Sequence, residues 1–197
     1  MDDLDRIQRA LAKSGTGSSD FDLNAKHTPL CDKNLRAAAV LVVLDTSGKS
    51  TSVILTKRSS ALKHHPGQIA FPGGKRDLSD PDLTATALRE AQEEIGLPPD
   101  MVSVIGHLPA HQTVTNYQVT PVVAHISGTF QLCPEPGEVE EVFHVPLKHV
   151  LDQTNFQVQA RRWQGQKRYY YTVPFGPYYI WGATARILRG LADRVVA

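Results

Sequence analysis

The chain has 197 residues, of which 41% are hydrophobic and 21% charged, as expected for one globular domain. Lysine and arginine total 21 against 20 acidic residues, and this net charge of +1 argues against a general nucleic-acid or membrane-surface binder. No apolar run has the length of a membrane span. The two cysteines, Cys31 and Cys133, are far apart, which argues against a disulfide framework and favours a reducing compartment, with the cytoplasm as the default.

The first 35 residues are predicted to be an N-terminal extension that packs on a main domain spanning 36–197. Leu4, Ile7 and Leu11 have the spacing of one helical face. Residues 15–20 are rich in glycine and serine, which predicts a flexible connection. The extension is therefore a short helix plus a linker.

The main domain alternates apolar strand patterns with two longer helices. The helices are predicted over 82–95, ending at Gly96, and over 181–195. A basic loop is predicted over 59–74, and a hairpin turn at Gln164-Gly165-Gln166. Strands are predicted over 37–45, 51–58, 102–108, 118–126, 139–145, 156–163 and 167–174. This order predicts an α/β sandwich around a mixed β-sheet.

The first long helix carries three glutamates close together. At about 100° per residue, Glu90, Glu93 and Glu94 fall within an arc of roughly 100°. Like charges at this spacing repel, and a hard divalent cation such as Mg²⁺ would remove the repulsion. The alternative is a solvated acidic face in which Arg89 pairs with Glu93.

A Phe-Pro-Gly-Gly segment at 71–74 precedes this helix. Adjacent glycines, Gly73 and Gly74, permit positive φ and close backbone approach to a metal or phosphate. Fifteen residues after Gly74 begins Arg-Glu-x-x-Glu-Glu-x-Gly, at 89–96. The combination resembles the Nudix box, and the resemblance implies a Nudix-type α/β/α sandwich and a Mg²⁺- or Mn²⁺-dependent hydrolase of nucleoside diphosphate derivatives.

The box departs from the family pattern at its upstream acid. The family places a Glu six residues after the Gly and eight before the Arg, whereas Asp80 lies six after Gly74 and nine before Arg89. The usual role of that acid is to hold the arginine. Asp77 and Asp80 are both candidates for it.

A second resemblance narrows the choice of substrate. Residues 54–59, Lys63, Gly67 and the Phe-Pro-Gly-Gly segment are similar to the extra motif of the coenzyme A pyrophosphatase branch, which also tends to carry the extra residue in the box. The segment 179–185 resembles a later part of that branch. Basic residues lead into the catalytic loop and recur near the C-terminus, and each could contact phosphate: Lys57, Arg58, Lys63, His64, His65, Arg161, Arg162, Lys167 and Arg168.

The resemblance implies a role for each site residue. Glu90, Glu94 and the Gly74 carbonyl would ligate the metal, while Glu93 would be a further ligand or would orient the attacking water. Arg89 would be a further catalytic residue, and Glu138 is the best match for a general base, ahead of Glu140 and Glu141. Arg58, Lys63 and Gly73 would bind the substrate, coenzyme A or a derivative, giving 4′-phosphopantetheine and adenosine 3′,5′-bisphosphate.

Two other functions remain open at this stage. One is a Nudix hydrolase for another dinucleotide, such as NADH or ADP-ribose. The other is a non-catalytic Nudix-like binding module, although such proteins typically lose a carboxylate that this chain retains. The expected partner is a small nucleotide, without nucleic acid or membrane, and a homodimer is a possible assembly.

Overall fold

The computed structural model describes residues 2–24, 35–163 and 165–196. Residues 25–34 of the predicted N-terminal extension, Cys31 among them, and the turn residue Gln164 lie outside this range. The described helices are α1 (Asp3–Ala12), α2 (Leu83–Ile95), α3 (Leu147–Leu151) and α4 (Gly182–Val196). The described strands are β1 (Ser18–Ser19), β2 (Arg36–Asp45), β3 (Ser52–Arg58), β4 (Ile69–Ala70), β5 (Gly73–Lys75), β6 (Ser103–His107), β7 (His111–Gln112), β8 (Tyr117–Ile126), β9 (Val139–Pro146), β10 (Gln157–Trp163) and β11 (Gln166–Thr172).

A mixed sheet is built around β2. This strand pairs in parallel with β8 and antiparallel with β3 and β5. Strand β3 continues the sheet to β9, and the β10–β11 hairpin forms a separate two-stranded sheet. The sheet thus places the start of β5 beside the middle of β2.

Both faces of the sheet are buried, which explains why β2 is a continuous apolar run rather than an alternating one. Val42 and Leu44 belong to the core that includes residues of α4, whereas Leu41 and Val43 belong to the core that includes residues of α2. Ile7 of α1 joins the α4 side. The predicted α/β/α sandwich around a mixed sheet is confirmed.

Two segments predicted as irregular contain strands. The 59–74 loop includes β4 and the first residues of β5, and the 15–20 linker includes β1. Strand β1 pairs in parallel with β7, where the Ser18 amide donates to the Ala110 carbonyl at 3.0 Å. These short pairings depend on partners far away in the chain, so local sequence does not indicate them. Across the described ranges, none of the helices combines the length and hydrophobicity that a bilayer crossing requires.

Candidate active site

Helix α2 is held at both ends by its own sequence. The Asp82 side chain accepts a hydrogen bond from the Ala85 amide at 2.8 Å, which is a standard N-terminal cap. Gly96, at φ +72°, ends the helix as predicted. Ala91 and Ile95 are buried against the sheet, so the position of the glutamates on α2 is fixed by packing.

Two of the three glutamates face the glycine pair of β5. The Gly73 amide donates to Glu94 Oε2 at 3.2 Å. A Cβ atom on Gly74 would lie 2.4 Å from Glu90 Oε2, and one on Gly73 would lie 2.4 Å from the Ala39 carbonyl oxygen. Any larger residue would collide with the carboxylate or with β2. The glycines therefore allow the backbone to approach Glu90 and Glu94 closely.

The Glu90–Glu94 pair is largely withdrawn from water. The Glu94 side chain is only 4% exposed, and burial raises its pKa to about 7, with Glu90 and Glu138 adding to the rise. Burial also raises the pKa of Glu90. Carboxylates withdrawn from water and close to each other suit a hard divalent cation, so the residues present fit the expected metal.

Glu93 is not brought into this pair. Its side chain is 59% exposed and accepts a hydrogen bond from Arg89 at 2.9 Å. This is the Arg89–Glu93 pair that was expected if the helix carried only a solvated acidic face. On a helix, Glu90 and Glu94 are nearly in line, whereas Glu93 lies on the Arg89 side. Within the described ranges no three His, Cys, Asp or Glu side chains form a metal cluster. A backbone oxygen such as that of Gly74 would have to complete the site.

Asp80, and not Asp77, holds Arg89. The two Asp80 carboxylate oxygens accept hydrogen bonds from Arg89 Nε and Nη2, each at 3.0 Å. Asp77 is 3.9 Å away and more than half exposed. Arg89 Nη1 also lies 3.0 Å from Glu90 Oε1, so Asp80 orients Glu90 through the arginine.

The acidic turn before β9 places one carboxylate near the pair. Glu140 pairs with Lys57 at 2.6 Å, and Glu141 accepts a hydrogen bond from the Tyr178 hydroxyl at 2.5 Å. Glu138 is exposed, yet close enough to raise the pKa of both Glu90 and Glu94. Among the three predicted base candidates, Glu138 is the one whose charge raises the pKa of both Glu90 and Glu94.

Arg58 connects the carboxylates to a cavity of about 330 Å³. Arg58 Nη1 lies 3.9 Å from Glu94 Oε1, and the same side chain lines the cavity. The exposed Lys63 lies outside the lining, so the structure does not bring these two predicted phosphate contacts together. The residues whose chemistry matters here are basic and aromatic, namely Arg58, His65, Arg161, Arg168, Tyr170 and Trp181.

Part of this lining was not assigned from sequence. Trp181 comes from the start of the C-terminal helix, and its only signal was the resemblance of residues 179–185 to a later part of the coenzyme A branch. Asp20 comes from the predicted linker and had no signal at all. Tyr170 follows the predicted basic pair Lys167 and Arg168 in the sequence. These residues meet through long-range packing, which local motifs do not encode.

Comparisons with known proteins agree with the fold. The NUDIX domain profile matches residues 33–166. Proteins named uncharacterized Nudix hydrolase NudL are 41% identical in Enterobacter sp. (strain 638) and 42% identical in Citrobacter koseri, each over 162 residues, 82% of this chain and 84% of the relative.

Two solved structures show the same fold at low identity. The Nudix domain of Shewanella oneidensis NrtR, complexed with ADP ribose, has a TM-score of 0.53 at 16% identity and covers 87% of this chain and 98% of its own. A MutT/nudix family protein from Enterococcus faecalis has a TM-score of 0.52 at 15% identity, and the match covers 100% of this chain and 75% of the Enterococcus faecalis chain.

Proposed function

Because this chain belongs to the Nudix hydrolase family, which acts on nucleoside diphosphate derivatives, we propose that its substrate is coenzyme A or a coenzyme A derivative. The observation that carries the proposal is the position of Arg58. This residue belongs to the segment that resembles the coenzyme A branch, lies 3.9 Å from Glu94 and lines the basic, aromatic cavity. A pyrophosphate at the carboxylates can therefore continue into a nucleotide in the cavity.

Glu90, Glu94 and the Gly74 carbonyl would hold Mg²⁺ or Mn²⁺. Nudix hydrolases generally use such metals, and the fit rests on the pair of largely buried carboxylates described above. When bound, the cation supplies neutralising charge to the pyrophosphate. Arg89 keeps Glu90 in position through its own contacts with Asp80, and Glu93 supports Arg89 from the solvent side.

The reaction is a hydrolysis at phosphorus. The oxygen of a water molecule forms a bond to one phosphorus atom, and the bond from that phosphorus to the bridging oxygen breaks. Glu138 accepts the proton of the water, and the bridging oxygen leaves with the other phosphate. Arg58 holds the substrate phosphates by charge-assisted hydrogen bonds. The products are 4′-phosphopantetheine and adenosine 3′,5′-bisphosphate.

A substrate panel tests the proposal. The protein is incubated with coenzyme A, NADH, ADP-ribose and 8-oxo-dGTP in Mg²⁺, and the products are identified by mass. We expect the highest kcat/KM with coenzyme A. A higher value with NADH or ADP-ribose would assign the site to another dinucleotide. No turnover of any compound, with Mg²⁺ bound, would leave a nucleotide-binding module.

A further inference from the structure

We propose that Arg161, on the β10–β11 hairpin, reads the 3′-phosphate of the substrate nucleotide while Trp181 provides a surface for its base. This inference rests on the proposed function and assigns its specificity to residues outside the Nudix box. It follows from the cavity lining, the hairpin register and the charges that face the cavity.

The cavity suits one nucleotide and not the whole of coenzyme A. Its volume of about 330 Å³ is near the lower end of the range for ligand sites, roughly 300–1,000 Å³. Arg58 at one side connects it to Glu94. The adenosine half can therefore occupy the cavity while the pantetheine arm extends from the carboxylates in another direction.

The charges that line the cavity favour an anion. Arg58 and Arg161 line the cavity together with Asp20, which is its one acidic lining residue within the described chain. The Asp20 carboxylate is already engaged by His111 Nε2 at 3.2 Å and by the Val114 amide at 3.0 Å. The cavity thus presents an excess of positive charge, which attracts phosphate.

His65 adds no further positive charge to the cavity. Its pKa is lowered, first by burial and then by the positive charge of Arg58, with a smaller effect from Arg161. His65 is thus uncharged at neutral pH. It contributes a ring and a hydrogen-bonding nitrogen beside the arginines.

The hairpin register places two arginines on the cavity face. Arg161 lies directly opposite Arg168 across the antiparallel pair, and both line the cavity. The next residue, Arg162, opposes Lys167 on the other face of the hairpin and does not line the cavity.

Arg161 is oriented by Trp181. Its guanidinium carbon lies 4.3 Å above the indole ring, a cation–π arrangement that leaves the N–H groups at the edge of the guanidinium for a ligand. Tyr170 meets the same indole edge-on, with 5.2 Å between ring centroids. Aromatic side chains of this kind stack with nucleobases, so the base and phosphate of one nucleotide find matching groups in one cavity.

The hairpin is fixed to the rest of the fold at Tyr169. The Asn24 side chain donates to the Tyr169 carbonyl and accepts from the Tyr169 amide, each at 2.9 Å. Asn24 is buried. The strand that carries Arg168 and Tyr170 is thus held before a ligand arrives, which lowers the cost of ordering on binding.

The kinetic test compares coenzyme A with dephospho-coenzyme A, which lacks only the 3′-phosphate. We expect wild type to prefer coenzyme A, and R161Q to lose about ten- to hundredfold in kcat/KM on coenzyme A with less than about threefold loss on dephospho-coenzyme A. R162Q is the matched control, because it removes the same charge from the outer face, and it should keep the preference. An equal loss on both substrates in R161Q, or an unchanged preference, would overturn the assignment.

A binding test separates this inference from the proposed function. Adenosine 3′,5′-bisphosphate and AMP are titrated calorimetrically in EDTA, so that no turnover is needed. Wild type should bind the bisphosphate more tightly, and R161Q should bind both alike, with R161K between them because lysine lacks the bidentate geometry. If coenzyme A is not hydrolysed but the preference for bisphosphate depends on Arg161, the proposed substrate fails and the phosphate site stands. If coenzyme A is hydrolysed and Arg161 has no effect on binding, the proposed substrate stands and the phosphate site fails.

Discussion

Arg89 and Asp80 meet through two parallel hydrogen bonds, each 3.0 Å long. Asp80 can reach Arg89 across nine residues because its carboxylate is itself fixed by the Thr86 hydroxyl and the Asp77 amide, both at 2.9 Å. The turn therefore absorbs the extra residue in the box. Asp80 is one residue further from Arg89 along the chain than the acid of the family pattern is from its arginine. It nevertheless holds Arg89.

Replacing Asp80 should reduce activity through Arg89. In D80N, one charge-assisted partner of Arg89 is lost, so Glu90 is no longer held, and we expect a ten- to hundredfold fall in kcat/KM, as is usual for residues that support a metal ligand. D77N is the matched control, because Asp77 is exposed and 3.9 Å from Arg89, and it should lose less than about threefold. Equal losses in the two variants would mean that Asp77 shares the role.

The same carboxylate should make stability depend on pH in the acid range. The hydrogen bonds from Arg89, followed by that from the Asp77 amide, hold the pKa of Asp80 well below its usual range. A depressed folded pKa stabilises the fold above the unfolded pKa, near 4, and this contribution is lost as pH falls toward the folded value.

Urea unfolding measures this dependence. Between about pH 5 and about pH 3, the free energy of unfolding should fall less steeply in D80N than in wild type. D80N should also start from a lower value at the higher pH. Parallel slopes in the two proteins would show that Asp80 does not contribute to the acid transition.

Glu94 and Glu93 should differ sharply although they are adjacent. In E94Q the ligand charge is removed from the buried site while the shape is kept, and we predict at least about a 100-fold fall in kcat, with little change in melting temperature. In E93Q, an exposed partner of Arg89 is lost, and the fall should be less than about tenfold. The measurement is kcat at saturating Mg²⁺. A value for E94Q within about threefold of wild type would remove Glu94 from the mechanism.

Removal of metal should abolish hydrolysis. The described chain offers Glu90 and Glu94 as a pair of largely buried carboxylates, and groups that are themselves acidic cannot neutralise a pyrophosphate unaided. We expect no product after treatment with EDTA and recovery on adding Mg²⁺ or Mn²⁺, followed by product mass. Full activity in EDTA would contradict the metal site.

Asn24 should affect substrate binding more than chemistry. N24A removes two part-buried hydrogen bonds to the Tyr169 backbone, at a cost of about 1–3 kcal/mol in total. We expect a lower free energy of unfolding and a raised KM for coenzyme A, with kcat nearly unchanged. N24D keeps the acceptor for the Tyr169 amide, so its free energy of unfolding and its KM should lie between those of N24A and wild type. A change confined to kcat would argue against a role in holding the hairpin.

The local part of the site could be predicted from sequence, and the distant part could not. The Gly73–Gly74 pair and the helix with Glu90 and Glu94 are short-range features, because helix periodicity and a fixed spacing determine them. The choice between Asp77 and Asp80 needed the turn geometry. That Glu93 points away from the pair depends on which edge of the helix faces β5, and helical spacing alone does not fix this.

The recognition residues depended on contacts across the fold. Arg161 and Trp181 meet only because the hairpin folds over the start of α4, and Asn24 reaches Tyr169 across 145 positions. Nothing in the composition of residues 15–20 indicates that Ser18 and Ser19 pair with β7. Such contacts are set by packing, which a single sequence does not display.

The parallel pairing of β1 with β7 has a consequence for how substrate choice could be altered. It fixes Asp20 in the cavity wall, and Asp20, Tyr170 and Trp181 all lie outside the 33–166 segment that matches the family profile. The residues expected to carry out hydrolysis lie inside it. These three positions near the two ends of the chain can therefore be substituted to redirect the enzyme to a different nucleotide, while the hydrolytic centre and Arg161, which lie inside the segment, are retained.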